Sequence, residues 1–468
     1  YVFTVLPFGL SSAPYAFTKI MRPLVRWWRG KGIRIVVYLD DGICAVGSEQ
    51  QAWRTSGLVR ESLNLAGFVA NEAKSFWSPS QKVQWLGFNV DLLNGCITVP
   101  DRKIMAVQSL LQCLVGKKII KAKQLASLVG KVISMSLAVG PVARLMTRAL
   151  YALLQTRFAW CDGLQLTPEA EVELKFWAES LVSYNAQPIW RSPGAVRVVF
   201  SDASDVGYGG YTVEHGMHTA QGNWLPEEAQ QSSTWRELVA VYRVLEAIAN
   251  KLRNCRVRWF TDNQNVARLL LVGSRKEHLQ IEVLKVFSLC VSHNIHLKPE
   301  WIPREENELA DYISRIVDSD DWQLEPSLFV WLDGVWGPHT VDRFASQHNA
   351  QLPRFNSRFA CKDTEAVDAF TVDWSGENNW WCPPPMLITR VLRHAEACRA
   401  QGTLLVPAWE SAPFWPMLCS DGFNWSDFVI DVISLPLTSG MFHPGRSGSV
   451  LFKGAFPNTG VLAIRLEF

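Results

Sequence analysis

One stretch of this chain, residues 195–316, changes its hydrophobic period in an order that few folds accept. Two strand patterns, Val196–Ser201 and Tyr208–Glu214, precede apolar positions at helical spacing from Thr234 to Leu252. A strand pattern Cys255–Thr261 follows, then helical stretches at Val266–Leu271 and Leu279–His293, a strand Ile295–Ile302 and a last helix. Strands first, then alternating strand and helix, require a sheet flanked by helices. Four carboxylates fall at special places in that order. Asp202 closes the first strand and Asp262 the third. Glu237 lies in the first turn of the long helix, in line with Val241, Val244 and Ile248, so it faces the sheet. Asp311 belongs to the late helix, in Asn307-Glu308-Leu309-Ala310-Asp311.

Each residue alone has an ordinary explanation. Asp202 fits a hairpin turn, Glu237 closes a capping box with Thr234, Asp262 fits a helix N-cap, and Asp311 fits a solvated helical charge. Those explanations give the four side chains no common destination, whereas hydrolysis of a phosphodiester needs one. A cluster of oxygen ligands holds hard divalent cations, Mg²⁺ or Mn²⁺, that activate water and stabilise the leaving oxygen. The order Asp, Glu, Asp, Asp on strand, helix, strand end and late helix resembles the retroelement ribonuclease H family. The run Trp301-Ile302-Pro303-Arg304-Glu305-Glu306-Asn307, continued to Ser314-Arg315, is similar to its retrotransposon branch. The resemblance implies that Asp202, Glu237, Asp262 and Asp311 are catalytic and hold two ions, and that the substrate is an RNA/DNA hybrid. Many cellular members carry a histidine in the loop before the last aspartate; here Pro303–Glu306 stands there, and His296 is expected on the preceding strand. Asp205 and Glu308 are read as bystanders.

Upstream, the apolar runs Ile33–Leu39 and Ile43–Val46 bracket Asp40-Asp41, so a hairpin would present two carboxylates at its tip. Adjacent carboxylates there suit a divalent metal bridging a nucleotide's phosphates. Leu6-Pro7-Phe8-Gly9-Leu10-Ser11-Ser12-Ala13-Pro14 precedes it; Asn71-Glu72-Ala73-Lys74-Ser75 and Trp85-Leu86-Gly87-Phe88 follow. Tyr38-Leu39-Asp40-Asp41 with these neighbours resembles the later palm motifs of retroelement reverse transcriptases. The resemblance implies that Asp40 and Asp41 are catalytic metal ligands, and that Gly9, Tyr38, Lys74, Trp85 and Gly87 face template-primer nucleic acid. The family's earlier palm aspartate and its fingers would lie before Tyr1, so the chain is expected to be N-terminally truncated.

The net charge of +2 conceals one-signed stretches. Six basic residues and no acidic one precede Asp40, and ten Lys/Arg without Asp or Glu span Arg102–Arg157. Such a run suits phosphates better than a solvated face, which normally interleaves both signs. Lys117, Lys118, Lys121 and Lys123 are its nucleic-acid-binding candidates. The ten cysteines include no C-x-x-C pair or zinc-like cluster, which fits a reducing compartment, cytoplasmic or nuclear. No window approaches the ~18 apolar residues of a membrane span.

The last block carries Asp342-Arg343-Phe344, Val367-Asp368-Ala369-Phe370 and Trp380-Trp381-Cys382-Pro383-Pro384-Pro385, then an amphipathic stretch Leu387–Arg399 and a strand pattern Thr403–Pro407. This layout resembles phage-type DNA adenine methyltransferases. Active members have Asn or Asp before Pro-Pro to hold the target amino group, and an aromatic after it to stack the flipped base. Cys382 and Pro385 stand there instead, so the domain reads as degenerate, with S-adenosylmethionine not expected; an unrelated Trp/Pro-rich structural domain is the alternative.

The whole is a multidomain α/β and α+β chain: a reverse-transcriptase palm remnant (1–100), a helical connection (101–194), a ribonuclease H-like α/β domain (195–316) and a methyltransferase-like α/β domain (317–468). The order is similar to DIRS/Ngaro-type retrotransposons, whose other element-encoded proteins are possible partners; a gypsy-like or pararetroviral polyprotein shares the first 316 residues' logic. A non-catalytic nucleic-acid-binding relic is the competing functional reading. With one carboxylate arm of the palm missing, the chain is expected not to extend a primer on an RNA template with Mg²⁺, and primer extension by gel assay checks this.

Overall fold

The computed structural model describes residues 9–189, 195–214, 218–317, 322–420, 424–435, 440–445 and 460–468. The Leu6-Pro7-Phe8 part of the motif before the Asp40–Asp41 hairpin and residues 190–194 lie outside them. Two compact units divide the chain, Tyr1–Ser192 and Pro193–Phe468.

In the first unit, helix Ala13–Gly30 begins with a proline in its first turn, where the missing N–H costs nothing. It buries Met21 and Trp28 against Ile33, Ile35 and Val59, and the Trp28 indole N–H donates to Ser62 Oγ at 2.8 Å. Strands Ile35–Tyr38 and Asp41–Cys44 pair antiparallel, with Leu39 at φ 53° in the turn. The apolar run 83–90 is not one strand. It breaks into Lys82–Trp85 and Phe88–Asp91, because Leu86 and Gly87 both take positive φ and reverse the chain. Gln187–Pro188, within the stretch expected to be a helical connection, instead pairs with Cys96–Ile97 at the edge of that sheet.

Residues 101–180 are mainly helical, Asp101–Leu114, Ala122–Ser134, Arg148–Gln155 and Pro168–Ser180 being the longer elements. Glu173, buried, accepts from the backbone N–H groups of Ala149 and Leu150 at 2.9 and 3.0 Å, capping a helix start. One element escapes the helical reading: Ile119–Lys121 pairs antiparallel with Gly163–Gln165. The pairing turns Ile120 and Leu164 into the core and leaves Ile119 and Lys121 outside.

The second unit holds two five-stranded sheets. In the first, Thr219–Asn223, Gly207–Thr212 and Val196–Ala203 run antiparallel, and Arg256–Thr261 and His296–Trp301 continue parallel to Val196–Ala203. Thr219–Asn223 has no clear apolar alternation, and its polar side chains hide it from a periodicity argument. Gln221 and Asn223 donate to the Ile316 carbonyl at 2.7 and 3.0 Å. Glycines set how closely helices approach this sheet. A Cβ on Gly209 would lie 2.5 Å from the Ser314 backbone nitrogen, and one on Gly210 2.7 Å from Val244. Helix Glu308–Ser314 therefore sits over one face and helix Ser233–Ile248 over the other.

The second sheet places Val341–Asp342, Asn378–Trp381 and Gln401–Pro407 parallel, followed by Val461–Glu467 and Val429–Leu435 antiparallel. Trp374, Trp380 and Trp381 are fully buried around it. The Ala360 backbone N–H donates to the Thr219 carbonyl at 2.8 Å, so this block bridges to the edge strand of the first sheet at Ala220. Among the described residues no helix is long and apolar enough to cross a membrane.

Gly209→Ala is expected to lower stability by about 1–3 kcal/mol, because backbone and not a flexible side chain stands in the way. Gly334→Ala, whose added Cβ meets nothing in an exposed helix, is expected to gain about 0.5–1 kcal/mol. Thermal denaturation of both variants checks the contrast.

Candidate metal centre

The sheet and its two helices bring three of the sequence's carboxylates to one place. Asp202, Glu237 and Asp262 each offer an oxygen, and these atoms lie within 4.8 Å of one another. Among the described residues no other group of three carboxylate, histidine or cysteine side chains meets so closely. They line a cavity of about 350 Å³ with Ser233, Asn263, Gln264, Arg304, Asp311 and Arg315.

Local structure frees each side chain from its ordinary alternative. Helix Ser233–Ile248 is capped by Ser232, whose oxygen accepts from the Trp235 N–H, so Thr234 and Glu237 form no capping box. Glu237 is the fifth residue of this helix, just past the first turn in which the sequence places it, and it is buried. The helix after Asp262 is capped by Asn263, which accepts from the backbone of Asn265 and Val266. The Trp301 indole N–H donates to the Asp262 carbonyl at 2.9 Å and fixes that strand end. Asp202 accepts from Ser314 Oγ at 2.8 Å, and buried Asn307 donates to the Ser201 carbonyl beside it at 3.1 Å. Asp311 lines the same cavity but is held by cations: Arg304 at 2.8 Å and Arg315 at 2.7 Å.

The electrostatics record the crowding of like charge. Burial, then the neighbouring charges of Asp262 and Asp311, push the Asp202 carboxyl up to about 6. Burial, Asp202 and Asp262 raise Glu237 well above the usual carboxylate range. Burial raises Asp262 as well. Asp311 moves the other way, lowered chiefly by its hydrogen bond from Arg315. Glu237 Oε2 is buried and has no hydrogen-bond partner. An orphaned carboxylate oxygen beside two further carboxylates fits a hard divalent cation, which would supply the missing partner and the missing charge.

Arg304, Asn307, Ser314 and Arg315 belong to the motif read from the sequence, which assigns them no role in the site; the structure places them at it. Asn307, Asp311 and Ser314 stand at i, i+4 and i+7, one helical stripe, and that spacing was the available signal. His296 begins its strand, paired with Arg256, at the end opposite to the Thr261–Trp301 pair. Asp205 and Glu308 are exposed and do not line the cavity.

The other candidates are not part of this centre. Asp40 and Asp41 sit exposed on their hairpin, and no third carboxylate joins them among the described residues. Tyr38 and Lys74 are exposed, as is Gly9 at φ 88°. Trp85 is half-buried, with its indole nitrogen unpartnered. Gly87 makes the adjoining turn and accepts at its carbonyl from Lys103 Nζ at 3.0 Å. Lys117, Lys118, Lys121 and Lys123 are all exposed. Cys382–Pro385 follows strand Asn378–Trp381, and Asp342 is buried with its carboxyl pushed up to about 6.

Residues 1–90 match the family described as reverse transcriptase (RNA-dependent DNA polymerase), and residues 314–424 match DNA N-6-adenine-methyltransferase (Dam). The retrovirus-related Pol polyprotein from transposon opus of Drosophila melanogaster is 30% identical over 156 residues, 33% of this chain. The match spans only 15% of that polyprotein's length. Among solved structures, the foamy viral protease-reverse transcriptase with an RNA/DNA hybrid is 16% identical, covering 64% of this chain and 39% of that one, at a TM-score of 0.35. RNase H1 from the halophilic archaeon Halobacterium salinarum NRC-1 is 17% identical, covering 25% of this chain and 94% of its own, at a TM-score of 0.22. The reverse-transcriptase match and the Pol relative together support a retroelement reverse-transcriptase-like protein.

The raised carboxyls make the metal-free site a source of instability. Asp202 titrates near 6 when folded and near 3.8 as a free carboxyl, so between those values the folded chain holds a proton that the unfolded chain releases. Stability is therefore lost as pH rises through that window and stays lower above it. Asp202→Asn is expected to be more stable than the parent at pH 8 without metal, by on the order of 2 kcal/mol, with the gap closing toward pH 4. Added Mg²⁺ is expected to raise the melting temperature of the parent and not of the variant, as differential scanning fluorimetry would show.

Proposed function

We propose that residues 195–316 hydrolyse the RNA strand of RNA/DNA hybrids, as the nuclease part of a retroelement reverse-transcriptase protein. The observation that carries this reading is the convergence of Asp202, Glu237 and Asp262 within 4.8 Å in a cavity that Asp311 also lines. Two Mg²⁺ or Mn²⁺ ions, when bound, would supply an activated water and neutralise the charge of the leaving oxygen. Asp202 and Glu237 would hold them from the buried side, and Asp262 and Asp311 from the open side.

The remaining residues position these four. Ser314 and Asn307 lock the Asp202 strand end, so its carboxylate needs little reorganisation when charge builds up. Arg304 and Arg315 neutralise Asp311 and place two guanidinium groups on the rim, where a phosphate backbone would arrive. Arg304 thus brings a permanent cation to the loop where many ribonuclease H relatives have a histidine. The Asp40–Asp41 hairpin supports a polymerase ancestry for residues 1–100, and the DIRS/Ngaro-type assignment rests on the methyltransferase-like block that follows. A non-catalytic binding role loses ground because a relic has no reason to keep three mutually repelling carboxylates together, two of them buried.

Asp262→Asn is expected to reduce cleavage of the RNA strand of a labelled hybrid in Mg²⁺ by at least about a hundredfold, leaving hybrid binding in place. Cleavage at the parent rate by this variant would sink the assignment.

A further inference from the structure

The helical region carries an exposed aromatic loop that the nuclease reading does not use. Phe158 is fully exposed and Trp160 half so. Neither is held out by accident, because the Asp162 carboxylate accepts from the Phe158 and Ala159 backbone N–H groups at 2.8 and 2.7 Å and locks the loop. The Arg157 guanidinium stacks on the Trp160 ring, 4.0 Å from its centre. The Lys123 backbone N–H donates to the Trp160 carbonyl, and the Ala122 N–H to that of Asp162. The loop is thereby fastened beside the ribbon that exposes Ile119 and Lys121, with Lys117, Lys118 and Lys123 flanking it.

We infer that this loop is a stacking platform for single-stranded nucleic acid, on which unpaired bases lie against Phe158 and Trp160 while Lys117, Lys118, Lys121 and Lys123 follow the phosphates. Two observations choose this occupant over a protein. The stretch Arg102–Arg157, which leads into the loop, contains ten Lys/Arg and no acidic residue, and its Lys117, Lys118, Lys121 and Lys123 are exposed, which suits a phosphate backbone. The loop's own carboxylate, Asp162, is spent on the loop's backbone N–H groups. Protruding rings have nothing to stack on in an intact duplex, whose bases are already stacked, so the platform discriminates for unpaired strand. The loop backbone and the Trp160 ring are also pre-positioned, which spares part of the ordering cost that a mobile loop would incur on binding. The inference rests on the chain handling nucleic acid and is independent of the ribonuclease assignment, since it concerns binding without turnover.

The test uses the full chain in EDTA, with a short fluorescein-labelled oligothymidylate and a blunt duplex of equal length as probes, read by anisotropy. Phe158→Ala/Trp160→Ala is expected to weaken single-strand binding about tenfold, with duplex affinity changing less than twofold. Trp331→Ala, an exposed aromatic in the other unit, is expected to change neither. A 4-thiothymidine oligonucleotide is expected to crosslink to the peptide containing Phe158 and Trp160. Unchanged single-strand affinity in the double variant, an equal loss for the duplex, or a self-associating parent that the double variant renders monomeric would each overturn the proposal.

Discussion

Three carboxylates held within 4.8 Å repel one another, and much of the surrounding structure is arranged to keep them there regardless. The repulsion is large because two of the three are buried, where charge is poorly solvated. What resists it is mostly backbone. Asp202 ends a central strand, paired with Gly207–Thr212 on one side and Arg256–Thr261 on the other. Asp262 ends that second neighbour. Glu237 is carried by a helix with eight buried residues, Glu237 itself among them. A loop could not hold the same charges together, since it would relax.

Helix Glu308–Ser314 ties the centre to the sheet from the opposite face. Its close approach depends on Gly209 having no side chain, and its reward is the Ser314 hydroxyl on Asp202. The same seven residues carry Asp311, whose two arginines offset its charge. Packing, hydrogen bonding and electrostatics thus meet in one short helix. Propensity alone would barely sustain it, as isolated helices of this length are marginal in water.

The methyltransferase-like block belongs to the same compact unit, and its Ala360 bridges to the edge strand Thr219–Asn223. An exposed edge strand is a template for aggregation, so occupying part of it is a structural contribution that needs no methyl transfer. Its tryptophans serve the interior: Trp374, Trp380 and Trp381 are fully buried. These three tryptophans of the block are therefore core, and Cys382–Pro385 leaves the Trp380–Trp381 strand.

By itself the sequence determined the order of elements in residues 195–316 apart from the strand Thr219–Asn223, the hairpin beneath Asp40 and Asp41, and the candidacy of Asp202, Glu237, Asp262 and Asp311. Those are local matters, set by hydrophobic period and by which residue ends a strand. Only the tertiary structure decided that three of the four meet and that Asp311 is shared with Arg304 and Arg315. It also decided that Glu237 is no cap, that Thr219–Asn223 is a strand, and that Phe158 and Trp160 stand beside the lysines. The reason is that helix placement over the sheet, set by Gly209 and Gly210, and pairing between distant strands are contacts across tens of residues, to which periodicity is blind.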